Sequence, residues 1–502
     1  MKGQLWRNAS APLILTTIAF RPLAAQDGRA IRTDTGYATV ARDVSAEINA
    51  GRLTGVAIAL VHRGRIAWED GFGWADEASR RKATAHTPFS LASTTKTFTT
   101  AAMISLVASG RLELDHPAND YLGPNKIRDD QGPVEAATVR TLATMASGLP
   151  TFFLMYPENE PTRQPSVDAL LRTYGHVIAP PHTHYEYSNL GMAVLADIVA
   201  RQSHEEFGKY LEQNLLAPLS MHDSFFDTDR SGRRFMATRY DDDGTPLPFY
   251  VTATPGSGEM YASAHDLALW AMFHLEDDRQ GAARVLPDHM LDTLHRAAIR
   301  TGPDQYYGMG WEIWNPPGGR RVIFHGGGQS GVKVEFVLIP SDDVACIVLS
   351  NRHTDQKFIE TVRDRLISTV VQGWHGLPAS SDPSIPLRSA PDFVGRWRGV
   401  LRAGGKTEAA LLVLRPDGSG SLALDDGEPY PVQGLGVVDG WLTGQSKGAI
   451  QAPDVQREVA DNVEIDLASR GGHLEGELVA WRKTGARMAV LPFWIRLDRG
   501  GG

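Results

Sequence analysis

The sequence predicts a mixed α/β (α+β) domain followed by a small antiparallel β-barrel. Three observations carry this. Apolar segments of helical and of strand period intermix up to about residue 375; prolines and serines cluster over 376–392; beyond that, only short alternating strand patterns recur. At 502 residues the chain is too long for one ordinary core. Its 42% hydrophobic and 22% charged content is that of a globular protein. The net charge of −9 is spread out, and no basic patch carries interleaved aromatics, so nucleic acid is not an expected partner.

Each element follows in order. Met1-Lys2-Gly3-Gln4-Leu5-Trp6-Arg7, an apolar run over 11–20 and small residues before Gln26 predict an export signal over 1–25, hence a periplasmic or secreted protein. Pro12 and Arg21 interrupt that run, which keeps a cytoplasmic location as the alternative, and it is too short for a stable membrane anchor. The main domain is expected over 36–375. It opens with a hairpin, 56–61 and 65–69, turning at Arg63-Gly64. A helical region follows, then a second hairpin, 334–339 and 344–349, joined by Pro340-Ser341-Asp342-Asp343. A helix near 358–371 completes the layer. Cys346, the single cysteine, allows no intrachain disulfide and sits in a buried-strand pattern. After the 376–392 linker, strands over 410–414, 463–467, 473–481 and 489–497 make a barrel or sandwich of 393–498.

Within the helical region, Leu91-Ala92-Ser93-Thr94-Thr95-Lys96-Thr97-Phe98 is the most informative stretch. Residues three apart share a helix face, so the Lys96 amine reaches the Ser93 hydroxyl. A serine hydroxyl is a poor nucleophile until a neighbour takes its proton. The two other Ser-x-x-Lys copies, Ser79 to Lys82 and Ser330 to Lys333, lie in a charged loop and a glycine-led turn. Only Ser93 precedes a periodic apolar face, Phe98, Ala101, Ala102, Leu106 and Val107. Taken alone, the serine reads first as a helix N-cap.

Two further elements lie downstream. Tyr187-Ser188-Asn189 follows a Pro180-Pro181 loop and precedes a helix; a tyrosinate beside a lysine can act as a base. His325-Gly326-Gly327-Gly328 stands beside a strand, where glycine lets a substrate approach and a backbone N–H can serve an oxyanion.

Ser93-x-x-Lys96, Tyr187-x-Asn189 and His325-x-Gly327, in this order, resemble the three active-site motifs of the serine β-lactamase and penicillin-binding-protein superfamily. The branch resembled is that of class C β-lactamases, DD-peptidases, D-aminopeptidases and related esterases. Three more segments resemble it: the run ending Ser147-Gly148-Leu149-Pro150, Pro218-Leu219-Ser220-Met221, and Tyr307-Gly308-Met309-Gly310-Trp311. The resemblance implies that Ser93 is acylated, that Lys96 and Tyr187 share proton transfer, and that Asn189 hydrogen-bonds the lysine and the substrate. It also implies an oxyanion hole from the N–H groups of Ser93 and Gly328, with His325 facing the substrate, and a lipocalin-like C-terminal barrel.

The β-lactamases carry a lysine where this chain has His325, which argues against an efficient penicillinase. Lys483-Thr484-Gly485 lies outside the matched region. Gly444-x-Ser446-x-Gly448 lacks a following helix and so fails as a nucleophile elbow. His182 and His184 have no third metal ligand at a sensible spacing, and Asp241-Asp242-Asp243-Gly244 reads as a turn. The expectation is therefore a serine hydrolase acting on amides of small peptides, without metal or cofactor, of open oligomeric state. An esterase or weak β-lactamase is the nearest alternative, and a penicillin-recognising sensor or degenerate binding module the non-enzymatic one.

Overall fold

A computed structural model describes residues 35–129, 134–226, 231–275, 285–352, 356–378, 384–403, 406–425, 427–484 and 487–500. The expected export signal lies outside them. The first domain is built on an antiparallel sheet. Its core hairpin is Gly55–His62 with Ile66–Asp76, joined by a turn in which Arg63 and Gly64 both have positive φ, 56° and 68°, and His62 N donates to Arg65 O at 2.9 Å. That is the turn whose twist matches flanking strands. The strand Gly55–His62 also pairs with Val344–Ser350, which pairs with Val332–Ile339, and the sheet continues through Val322–Phe324, Glu312–Trp314, Gln305–Tyr307 and Ile299–Gly302. Both expected hairpins are present. So is the closing helix, at Gln356–Ser368; it packs with the helix Thr35–Asn49 on one face of the sheet, burying Val44, Ile359, Val362 and Leu366. Cys346 is buried in that layer.

The opposite face carries the helical region, centred on the helix Thr95–Ala108. Its sequence suggests one apolar face, but the helix is buried almost all round. The threonines that would make a polar face are hydrogen-bonded inside the protein: Thr97 Oγ1 to Thr94 O at 2.9 Å, Thr99 Oγ1 to Gly256 O at 2.7 Å and Thr100 Oγ1 to Met309 O at 3.0 Å. A buried hydroxyl costs little once it is bonded.

The C-terminal domain resolves the barrel-or-sandwich alternative. Eight strands, from Gly395–Ala403 to Arg487–Arg499, pair with their neighbours in sequence order, and the last pairs back to the first, Gly399 opposite Leu497. Closure pairs the first and last strands over 397–401 and 495–499, which covers those edges. Leu412, Leu442, Ile465, Leu478 and Ile495 fill the interior. The segment before the first strand lies on the barrel: Ile385–Pro386 pairs with Tyr430–Val438, and Leu387 is buried.

One expectation needs correction. A short helix, Pro453–Glu458, does follow Ser446, with proline at its first turn, where the missing N–H costs nothing. Ser446 itself sits in the barrel strand Trp441–Lys447 and donates to neighbouring carbonyls. Asp241 to Gly244 is a turn, closed by Gly244 N to Asp241 O at 2.9 Å.

The two domains share a sheet. The strand Phe153–Pro157 of the first domain pairs with the last barrel strand through Leu154 opposite Ala489 and Phe153 opposite Val490.

Candidate active site

Ser93 lies in a single 3-10 turn, Ala92–Thr94, that runs directly into the helix Thr95–Ala108. Ala92 before it has φ +45°, the left-handed region that costs an alanine about 1–2 kcal/mol. Surrounding contacts hold the turn against this: Leu91 N donates to Met260 O at 2.9 Å, and Thr94 Oγ1 to His325 O at 3.1 Å. N–H groups in the first turn of a helix have no intrahelical partner, which leaves the Ser93 N–H able to serve an oxyanion.

Lys96 is buried, and its Nζ lies 3.0 Å from Ser93 Oγ and 2.9 Å from Ser257 O. Burial pulls its amine down to about 7, against the opposing pull of the Glu259 and Glu312 carboxylates. Near neutral pH, part of the population therefore carries a neutral amine in contact with the serine. Ser257 is presented by a loop that crosses the nucleophile helix at Gly256, whose φ of +82° and contact with Thr99 suit only glycine.

Tyr187 is hydrogen-bonded to Ser93, and the Lys96 Nζ lies 4.7 Å from its ring centroid. Burial pushes its phenol well above the ordinary range. The tyrosinate expected from the sequence is thus disfavoured, and the lysine is the group poised to take a proton. Ser188 caps the helix Asn189–Ser203, its Oγ accepting from Gly191 N at 2.8 Å and donating to Pro150 O at 2.7 Å. Asn189 is buried at the start of that helix. Among the described residues, Lys96 Nζ bonds to Ser93 Oγ and the Ser257 carbonyl, and not to the Asn189 side chain.

His325 departs furthest from its expected role. It is 1% exposed and does not present a ring nitrogen to a substrate. Its Nδ1 donates to Gly326 O at 2.7 Å. Burial, with the Lys96 charge adding to it, pulls the imidazole down to about 3, so the ring is neutral at pH 7. A neutral ring that donates from Nδ1 must accept at Nε2, and Tyr307 Oη supplies that bond at 3.1 Å.

Gly327 and Gly328 form the short strand Gly327–Gln329. A Cβ on Gly327 would lie 2.2 Å from Leu91 O, so glycine lets this strand press against the nucleophile turn. His325 N donates to Phe336 O. Hydrogen-bonded pairs alternate along an antiparallel ladder, so Gly327 opposite Val334 shares in it, while Gly328 opposite Lys333 turns its N–H away from the partner strand. That leaves the N–H free to serve an oxyanion.

The fold therefore gathers Ser93, Lys96, Tyr187, Asn189, His325, Gly327 and Gly328 into one region. Four participants went unrecognised in the sequence. The Ser257 carbonyl is a backbone group and carries no motif. Glu259 and Glu312 reach Lys96 only through the fold, and burial next to Glu335 raises the Glu312 carboxyl to about 7. Tyr307 belongs to a segment noted only for its resemblance, although a tyrosine between glycine-rich turns could have been weighed as a partner for His325.

The family model described as Beta-lactamase matches residues 40–369. Protein flp of Staphylococcus aureus (strain MRSA252) is 24% identical over 342 residues, which cover 65% of each chain, so this chain spans just under two thirds of that relative's length. SurE, solved with D-Leu, superposes with a TM-score of 0.64 at 20% identity, covering 91% of this chain and 99% of SurE. The D-alanine carboxypeptidase AmpC from Burkholderia cenocepacia superposes with a TM-score of 0.56 at 19% identity, covering 67% of this chain and 99% of that one. At these identities the solved structures show a shared fold.

Proposed function

The chain belongs to the β-lactamase family, and on that premise we propose that it is a serine hydrolase cleaving amide bonds of small peptides through an acyl-enzyme. The observation that carries this is the contact between Ser93 Oγ and the buried Lys96 amine at 3.0 Å. Neutral Lys96 takes the hydroxyl proton as Ser93 Oγ attacks the carbonyl carbon. The N–H groups of Ser93 and Gly328 hold the oxyanion, an arrangement worth about 10²–10³ in rate per donor. Tyr187, bonded to Ser93, passes the proton held by Lys96 to the leaving nitrogen, and the C–N bond breaks. Water then attacks the acyl-serine, with Lys96 again the base, and releases the acid.

Three points support an amide with a free amino group. Glu312 is a carboxylate felt by Lys96, Tyr185, Tyr187 and Tyr307, placed to balance a substrate ammonium. SurE was solved with D-Leu, an amino acid with a free amino group. His325, neutral and with both ring nitrogens bonded, supplies no cation for a β-lactam carboxylate. That same neutrality suits an uncharged ester, which makes esterase the second reading.

Initial rates on nitrocefin, p-nitrophenyl acetate and butyrate, and D- and L-alanine p-nitroanilides separate these. The D-alanine anilide is expected to be cleaved faster than its L-isomer and faster than nitrocefin. Activity confined to the two esters would retire the peptide reading in favour of an esterase.

A further inference from the structure

Side chains alternate along an extended segment, and the stretch before the helix Asn189–Ser203 uses both sides. Tyr185 and Tyr187 face Tyr307, with ring centroids 5.7 and 6.4 Å away. Glu186, between them, faces the outer surface of the barrel. There it lines a cavity of about 670 Å³ together with Asp466 and Glu477, which stand opposite one another on the strands Asn462–Arg470 and His473–Thr484. Thr151 and Thr443 complete the wall and Glu464 the rim; among the described residues lining it, none is a lysine or arginine.

Converging carboxylates are costly without a counter-charge. Glu477 is 2% exposed, and its Oε2 has no hydrogen-bond partner among the described residues. Asp466 Oδ1 is likewise buried and unpartnered. A nitrogen donor is at hand. His184, its ring stacked 4.1 Å from Trp441, holds Nε2 3.9 Å from Glu186 Oε2. The ligand atoms of His184, Glu186 and Asp466 all lie within 4.8 Å of one another. Two ligands on opposite sides of an ion, each at roughly 2.0–2.4 Å, span such distances.

We propose that His184, Glu186 and Asp466, backed by Glu477, form a divalent metal site between the barrel and the segment that carries Tyr187. An imidazole with carboxylates selects zinc over calcium or magnesium. The histidine pair lacks a third ligand in the sequence because the fold brings Asp466 from the other domain. The bound ion clamps the barrel to the backbone of Glu186, next to the catalytic tyrosine, so these residues act on the reaction as positioning residues.

A second cluster, Glu69, His86 and His265, has a similar donor set. In both histidines Nδ1 is already paired, His86 with Asp223 at 2.8 Å and His265 with Glu69 at 3.0 Å, and His86 is exposed, which makes this cluster the control. The test is calorimetric titration of zinc chloride into the full chain near neutral pH. Wild type and a His86→Ala, His265→Ala double variant should bind alike, and Asp466→Asn and Glu477→Gln should each bind at least about tenfold more weakly. Equal affinity in Asp466→Asn, loss of binding in the double variant, or no binding at millimolar zinc would overturn the proposal. Anomalous scattering at the zinc edge from soaked crystals of wild type decides the matter if a variant fails to fold. A peak between His184 and Asp466 is expected, and a peak only elsewhere contradicts it.

Discussion

At the scale of single residues, the chemistry turns on a lysine brought down to about 7 by burial and restrained from falling further by Glu259 and Glu312. In the proposed mechanism the base is the neutral amine, so kcat/KM should rise with pH through a limb near 7 and level off above it. The Glu312 carboxylate favours the ammonium form. Glu312→Gln should therefore move the limb to lower pH, and a limb that stays in place would mean that another group titrates. His325→Lys tests the reading of the third motif. The site is closed, and its polar atoms are matched to a neutral ring. An ammonium there, near Lys96, should cost about 3–5 kcal/mol, the penalty of an uncompensated buried charge. Thermal unfolding should show a large loss of stability; an unchanged Tm with tighter β-lactam binding would show that the position opens to the cleft. Ser93, Lys96 and Tyr187 are legible in the sequence because the spacing of a helix turn and of a capped loop sets their geometry locally. Tyr307, Glu312 and the Ser257 carbonyl are not, because each reaches the lysine or His325 across the fold.

At the scale of elements, the nucleophile turn and the strand Gly327–Gln329 are held together by close backbone approach. Gly327→Ala would place a methyl carbon 2.2 Å from Leu91 O, and backbone cannot yield as a side chain can. The strand should shift away, taking the Gly328 N–H with it, and kcat should fall by about 10²-fold, the loss expected for one oxyanion donor. Steady-state rates on the best substrate of the panel would show it; full activity would place the oxyanion donor elsewhere. The sequence marks both hairpins and the closing helix well, since strand alternation and turn residues are local signals. It misjudges the nucleophile helix as amphipathic because the threonine hydroxyls find carbonyl partners from distant loops, which no periodicity records. The six-residue helix Pro453–Glu458 is likewise hidden behind a proline that in fact starts it.

At the scale of the whole molecule, the barrel is integrated with the first domain rather than tethered to it. Trp441 is buried with Ala179 and Ala468 at the contact, Tyr174 Oη donates to Asp454 Oδ2 at 2.6 Å, and the last barrel strand extends the strand Phe153–Pro157. These contacts should make the two domains unfold in one calorimetric transition. Trp441→Ala removes a large buried ring, a change that costs about 3–5 kcal/mol in a packed site, and should divide that transition in two. Two transitions in wild type would show that the domains are thermodynamically independent. The presence of a strand-rich C-terminal domain is legible from its alternation and turns. Its docking is not, since Trp441, Asp454 and Ala489 meet partners far away in the chain.

The central claim is that Ser93 is acylated during turnover. Rapid acid quench of the reaction with the best substrate of the panel, followed by peptide mass analysis, tests it directly. The added mass of the acyl group should appear on the peptide containing Ser93, and a Ser93→Ala variant should keep its fold while losing both adduct and turnover. An adduct on another residue, or full turnover by Ser93→Ala, would contradict the account.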